Sequence, residues 1–194
     1  MDSLSYSMGI LVAQNLKQQG FTTLEGASFA KGLEDVMQDK KLAISLEHAN
    51  QLAQKYLTEQ QAKAHSGTIE AGRKFLSENA KKQGVVSLPS GLQYEIITEG
   101  TGPKPAASDK VKVHYHGTLL DGTVFDSSVE RGSPAEFGVT QVISGWVEAL
   151  QLMPTGSKWR LFIPSDLAYG ERGAGAQIKP FSTLIFEVEL LGIK

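Results

Sequence analysis

The chain has 194 residues, 41% of them hydrophobic and 21% charged, which suits one or two domains with a buried core. Its formal net charge of −2 provides no field that would draw nucleic acid or an anionic membrane surface. The absence of cysteine excludes disulfides, thiol catalysis and Cys-ligated zinc.

The opening segment, MDSLSYSMGILVAQNL, has neither a basic stretch nor a long apolar run. No signal peptide or membrane span is expected there. The sequence as given therefore reads as cytoplasmic, or as periplasmic or surface-located if a signal peptide has been removed. Leu4, Met8, Leu11, Val12 and Leu16 repeat at helical spacing, and Gly20 stops the run. Phe29, Leu33, Val36 and Met37 form a second, shorter stripe. A third helix starts after Ser45, a good N-cap, with Leu46, Ala49, Leu52, Ala53, Tyr56 and Leu57.

From there the apolar stripe fades while helical patterning continues. Glu59 and Lys63, Glu70 and Lys74, and Glu78 and Lys82 are i,i+4 pairs in the favourable order. A linker helix from about 45 to 84 is expected, about 60 Å long at about 1.5 Å per residue, with bending at Gly67 or Gly72. The first 57 residues make a poor core alone, so the apolar stripe needs a partner. A second copy of the chain, docked through residues 1–57, is preferred to a cap folded on the second domain.

The character of the sequence changes near Gly84, and all seven prolines lie beyond it. Val111, Val113 and Tyr115 alternate with Lys112, His114 and His116, as in a half-buried strand. LLDGTVF is a hairpin signal, with Asp121-Gly122 at the turn. Trp146, Leu150 and Met153 mark one short helix. Trp159, Leu161 and Ile163, then Leu184, Phe186, Val188 and Leu190, mark two more strands. One helix on one face of an antiparallel sheet is an α+β arrangement. Between those strands DLAYGERGAGAQIKPFST has no period, and a long loop of this kind is usually functional. The division is expected at residues 1–84 and 85–194.

The chemistry is narrowed by elimination. His114 and His116 face the same way but lack a third metal ligand. GERGAG is followed by no Lys-Ser/Thr and sits in no βαβ unit, so it is no phosphate loop. No G-x-S-x-G elbow is present. Asp126 follows Val124 and Phe125 where a strand should be apolar. It can be a solvated charge, a catalytic acid paired with Glu130, or a polar group in an apolar pocket. Aromatic and aliphatic residues of this half would form an ordinary core or line a concave site.

VHYHGTLLDGTVFDSS, VISGW, IPSDLAYGERGAG and TLIFEVELL, over about residues 89–194, closely resemble the FKBP-type peptidyl-prolyl cis/trans isomerases. The first half, with ENAKKQGVVSLPSGLQY at the junction, resembles the two-domain bacterial members related to macrophage infectivity potentiator. The resemblance implies an all-helical N-terminal dimerisation region joined by a long helix to an FKBP-like domain, a twisted antiparallel sheet with one short helix packed on it. It implies rotation of X–Pro bonds in proline-containing polypeptides and unfolded proteins, or a folding chaperone with weak isomerase activity on the same fold. It implies no metal or cofactor, no nucleic-acid or membrane partner, and inhibition by macrolides such as rapamycin and tacrolimus.

The same resemblance assigns catalysis to Tyr115, Phe125, Asp126, Ile143, Trp146, Tyr169 and Phe186. It assigns substrate binding to Arg131, Phe137, Val142, Ala168 and Ile178. Proline would rest on Trp146, walled by Phe125, Phe137 and Phe186. The Ile143 N–H and the Tyr169 hydroxyl would hold carbonyls, and Asp126 would be held by Tyr115 or Arg131. Ala135, Ala174 and Gln177 depart from bulkier residues of other members, and GVTQVI is shorter by about two residues, which bears on the rim rather than the floor.

Overall fold

A computed structural model describes residues 2–194; Met1, which the expected helical region and dimer surface include, lies outside them. Among the described residues are five α-helices and seven strands, which divide into one compact unit ending at Ala64 and another running His65–Lys194.

In the first unit α1 (Ser3–Gln18) is capped by Asp2, whose carboxylate accepts the Ser5 N–H at 2.6 Å. α2 (Gly26–Met37) is capped by Glu25, which accepts the Ala27 and Ser28 N–H groups. α3 (Leu46–Ala64) follows Ser45, whose hydroxyl accepts the His48 N–H at 3.2 Å. A stacked pair, Phe21 and Tyr56, ties the α1–α2 connection to α3, and the Tyr56 hydroxyl lies 2.9 Å from that of Thr22. Packing otherwise stays thin. Neither α1 nor α3 has a buried residue, and Leu4 and Met37 are 72% and 77% exposed.

The helix expected from about 45 to 84 is two helices, broken at His65 (φ −111°, ψ 20°), with α4 covering Ser66–Asn79. Propensity cannot carry it through, because Gly67 follows within a turn and the stripe there is too polar to be held by packing. Beyond Asn79 the chain tightens, with Lys81 N–H to Glu78 O at 3.2 Å and Lys82 N–H to Asn79 O at 3.0 Å, before Gly84 turns with φ 87°. Gly72 serves close packing rather than bending. A Cβ there would lie 2.5 Å from the Thr183 hydroxyl oxygen. Phe75 meets Phe162 at 5.8 Å, and Asn79 donates to Gln93 at 3.0 Å. Gln93 in turn donates to the Leu76 carbonyl at 2.9 Å, satisfying an acceptor of the last turn.

The second unit is built on one antiparallel sheet. Its strands are β1 (Val85–Ser87), β2 (Gln93–Thr98), β3 (Lys110–Leu119), β4 (Val124–Ser127), β5 (Ala135–Gly138), β6 (Lys158–Ile163) and β7 (Leu184–Ile193). The order is β1-β2-β6-β7-β3-β4, with β5 also paired to β3. The alternation read from the sequence is the burial pattern: Val111, Val113 and Tyr115 point inward, as do Leu184, Phe186, Val188 and Leu190. Helix α5 (Ser144–Leu152) lies on that face, burying Trp146, Ala149 and Leu150. The outer face is charged, and Arg160 donates to Glu187 at 2.7 Å and to Glu95 at 3.2 Å. His114 and His116 lie there as well, their Nδ1 atoms 3.0 Å from the hydroxyls of Ser128 and Ser127.

Candidate active site

One end of the sheet, the start of α5 and the loop before β7 enclose a cavity of about 620 Å³. Strand pairing sets its walls. Gly117 of β3 lies opposite Phe186 of β7 and Asp126 of β4, so these side chains approach over a position without a Cβ. A Cβ at Gly117 would fall 2.7 Å from Phe125 and 2.8 Å from Phe186. The two rings meet edge to face at 5.3 Å and 86°.

Trp146 forms the floor and is 4% exposed. Its indole meets Phe186 at 5.2 Å, Tyr115 at 5.4 Å and Phe137 at 6.0 Å, all close to perpendicular. Edge-to-face pairs each add about 0.5–1.5 kcal/mol beyond burial, so the pocket wall is also a rigid part of the core. The loop before β7 forms the rim. Ala174 and Ile178 exchange backbone bonds of 2.8 and 3.1 Å, and the Phe181 N–H closes on the Gly170 carbonyl at 2.8 Å. Phe181 takes φ 61°, a conformation that costs a bulky residue about 1–3 kcal/mol. The rim is thus held shut on itself rather than left as a mobile tail.

Asp126 supplies the carboxylate on this apolar wall. The Tyr115 hydroxyl donates to its Oδ2 at 2.5 Å, and Arg131 donates to its Oδ1. Arg131 also donates to the Tyr115 oxygen at 2.8 Å, with its guanidinium 5.5 Å from the Tyr115 ring centre. Both residues that the resemblance offered as alternatives therefore hold the carboxylate. Partial burial acts to raise the Asp126 pKa, but the bonds from Tyr115 and Arg131 and the arginine charge outweigh it and leave the pKa below the usual value. Burial, and the bond given to Asp126, push the Tyr115 hydroxyl upward. At neutral pH the group is an ionised carboxylate beside a protonated phenol and a guanidinium, with no proton poised for transfer.

Ile143, at the N-cap of α5 with φ −60° and ψ 150°, lines the cavity. Among the described residues its N–H and the Tyr169 hydroxyl have no protein partner, so both are free to meet a carbonyl.

The cavity brings together Tyr115, Phe125, Asp126, Phe137, Val142, Ile143, Trp146, Tyr169, Ile178 and Phe186. Arg131 stands outside the lining and reaches it through Asp126 and Tyr115. Ala168 also lies outside the lining, packed against the core with φ −124° and ψ −114°. Gln141, Ala174 and Gln177 face the cavity, and Gly117 shapes it without lining it. Gly117 left a legible trace, since a lone glycine inside VHYHGTL signals a close approach.

Residues 102–191 match the family described as FKBP-type peptidyl-prolyl cis-trans isomerase, and residues 1–96 match the domain amino-terminal to it. The chain is 51% identical over 193 residues to the FKBP-type 22 kDa peptidyl-prolyl cis-trans isomerase of Escherichia coli, covering 97% of this chain and 93% of that one. It is 47% identical to the outer membrane protein MIP of Legionella longbeachae, over 100% of this chain and 85% of the relative. The crystal structure of FkpA from Escherichia coli superposes with a TM-score of 0.67 at 35% identity, over 99% of this chain and 93% of that one.

Proposed function

We infer the work of this cavity from the premise that the chain belongs to the FKBP-type peptidyl-prolyl cis-trans isomerases. It is a peptidyl-prolyl cis/trans isomerase and acts on proline-containing polypeptides. The residue roles that follow are our reading of the geometry, carried by one observation: an aromatic floor and walls with a single clamped carboxylate at the edge.

Rotation about the X–Pro bond has a barrier of about 18–20 kcal/mol, because twisting removes amide resonance. The twisted amide is less dipolar than the planar one. A dry aromatic cavity penalises it less than the ground state, which is differential binding of the transition state. Proline packs on Trp146 between Phe125, Phe137 and Phe186. The Ile143 N–H and the Tyr169 hydroxyl hold flanking carbonyls while the bond turns. Asp126, fixed by Tyr115 and Arg131, orients and polarises the twisting amide and transfers no proton. Val142 and Ile178 close the sides. The cavity has room for a drug-sized ligand, so rapamycin and tacrolimus are proposed as competitive inhibitors.

The domain assignment follows. Residues 85–194 hold the cavity, and residues 1–84 form the helical region. We propose that residues 1–57 dimerise, because the apolar side chains of α1 and α2 are left in solvent. No helix among the described residues is long and apolar enough to cross a membrane. The name of the Legionella relative supports a periplasmic or surface location over a cytoplasmic one.

Asp126 tests the mechanism. Asp126→Asn is expected to lower kcat/KM about threefold and Asp126→Val about tenfold, with neither abolishing it. A lowered folded-state pKa keeps the carboxylate ionised as pH falls into the usual carboxylate range, and the ion pair is lost only in stronger acid. The wild-type profile should therefore be flat over about pH 6–8. A steep limb in that range, absent from Asp126→Asn, would restore acid catalysis. Asp126→Val should still suppress aggregation of a proline-free client, separating holdase action from rotation.

A further inference from the structure

A second cavity, of about 310 Å³, lies beside the first and within the same compact unit. Its walls are Thr68 and Ala71 of α4, Leu119 and Leu120 at the end of β3, and Lys179 and Thr183 after the rim loop. Gln177 lines both cavities. The floor is apolar and the edge carries hydroxyls and one charge of each sign, Lys179 and Asp121, which select no net charge. The cavity exists because α4 is held against the sheet at Gly72 and Thr183. At one end the His65 ring lies 6.1 Å from Phe181, the residue that closes the rim.

We propose that this second cavity is an extended subsite for the polypeptide substrate itself. One arm of the chain leaves the proline cavity past Gln177 and lays an apolar side chain on Leu119, Leu120 and Ala71. The Thr68 and Ser182 hydroxyls face its backbone. The occupant follows from continuity: a chain whose proline fills the first cavity must cross the rim, and Gln177 is where the rim opens onto the second. Helix α4 thereby contributes to recognition of long substrates and not of short ones. The inference rests on the isomerase reading of the first cavity.

The test uses the full chain, a tetrapeptide with one X–Pro bond, and two dodecapeptides extended with leucine-containing sequence on only one side of that bond. In the wild type, one dodecapeptide should show a KM roughly three- to tenfold below the tetrapeptide, as partial burial of one apolar side chain provides. Ala71 is exposed on α4, so Ala71→Trp fills the cavity without disturbing the core. That variant should abolish the advantage and leave tetrapeptide turnover unchanged. Leu120→Ser, altering the opposite wall, should do the same. An advantage absent from both dodecapeptides, or surviving in both variants, overturns the subsite. Wild-type failure on the tetrapeptide would instead overturn the reading of the first cavity.

Discussion

Gly117→Ala is expected to lower kcat/KM about tenfold and Tm by roughly 5 °C. The substitution adds one methyl group; β3 runs through this position in regular pairing with β7, while its register with β4 shifts between Gly117 and Thr118. Cost arises because that methyl would sit 2.7 Å from Phe125 and 2.8 Å from Phe186, inside van der Waals contact with both rings. Neither ring can simply retreat. Phe186 is wedged against Trp146 and Tyr115, and Phe125 against Phe186. The rings must tilt into the cavity, shrinking the space where proline packs and misplacing its walls relative to Asp126. Tetrapeptide kinetics and thermal unfolding measure the two effects. Full activity with unchanged Tm would show that the walls are more compliant than this packing allows, and that Phe125 and Phe186 do not position the substrate.

A chain starting at His65 is expected to fold, to sediment as a monomer and to turn over a tetrapeptide at the full-length rate. A chain starting at Val85 should melt roughly 10 °C lower, from a loss of about 3 kcal/mol. Removing α4 strips Phe75 from Phe162 and leaves Phe162, Gln93 and Thr183, now 5%, 6% and 5% exposed, facing water. Gln93 also loses both of its partners, Asn79 and the Leu76 carbonyl. Calorimetry of the two truncations against the full chain decides this. Equal melting of both would reduce α4 to a spacer. A dimeric 65–194 chain would remove the dimer role proposed for the first helices.

The periodicity of the chain reveals a good part of this architecture, because side-chain direction is a local property. Val111, Val113 and Tyr115 had to share a face, Trp146 and Leu150 had to share another, and Asp121-Gly122 had to turn. Asp126 was visible as a charge out of pattern, and the family motifs named its neighbours. What stayed hidden depends on partners distant in sequence. β2 hides its role because burial falls along its length instead of alternating: Gln93, opposite Phe162, is buried on the outer face by α4, while Ile96 and Ile97 are 43% and 42% exposed. β5 has only Ala135–Gly138, too short for a period, and is a strand because β3 pairs with it. The polar helix after Ala64 reads as a solvated bridge, yet Gly72, Phe75 and Asn79 give it a docking face that only the sheet reveals. The clamp on Asp126 needed the fold as well, since Tyr115 lies 11 positions away and both it and Arg131 reach the carboxylate. Local pattern chooses the face a residue turns to, while a site that needs several strands to meet is decided by their register.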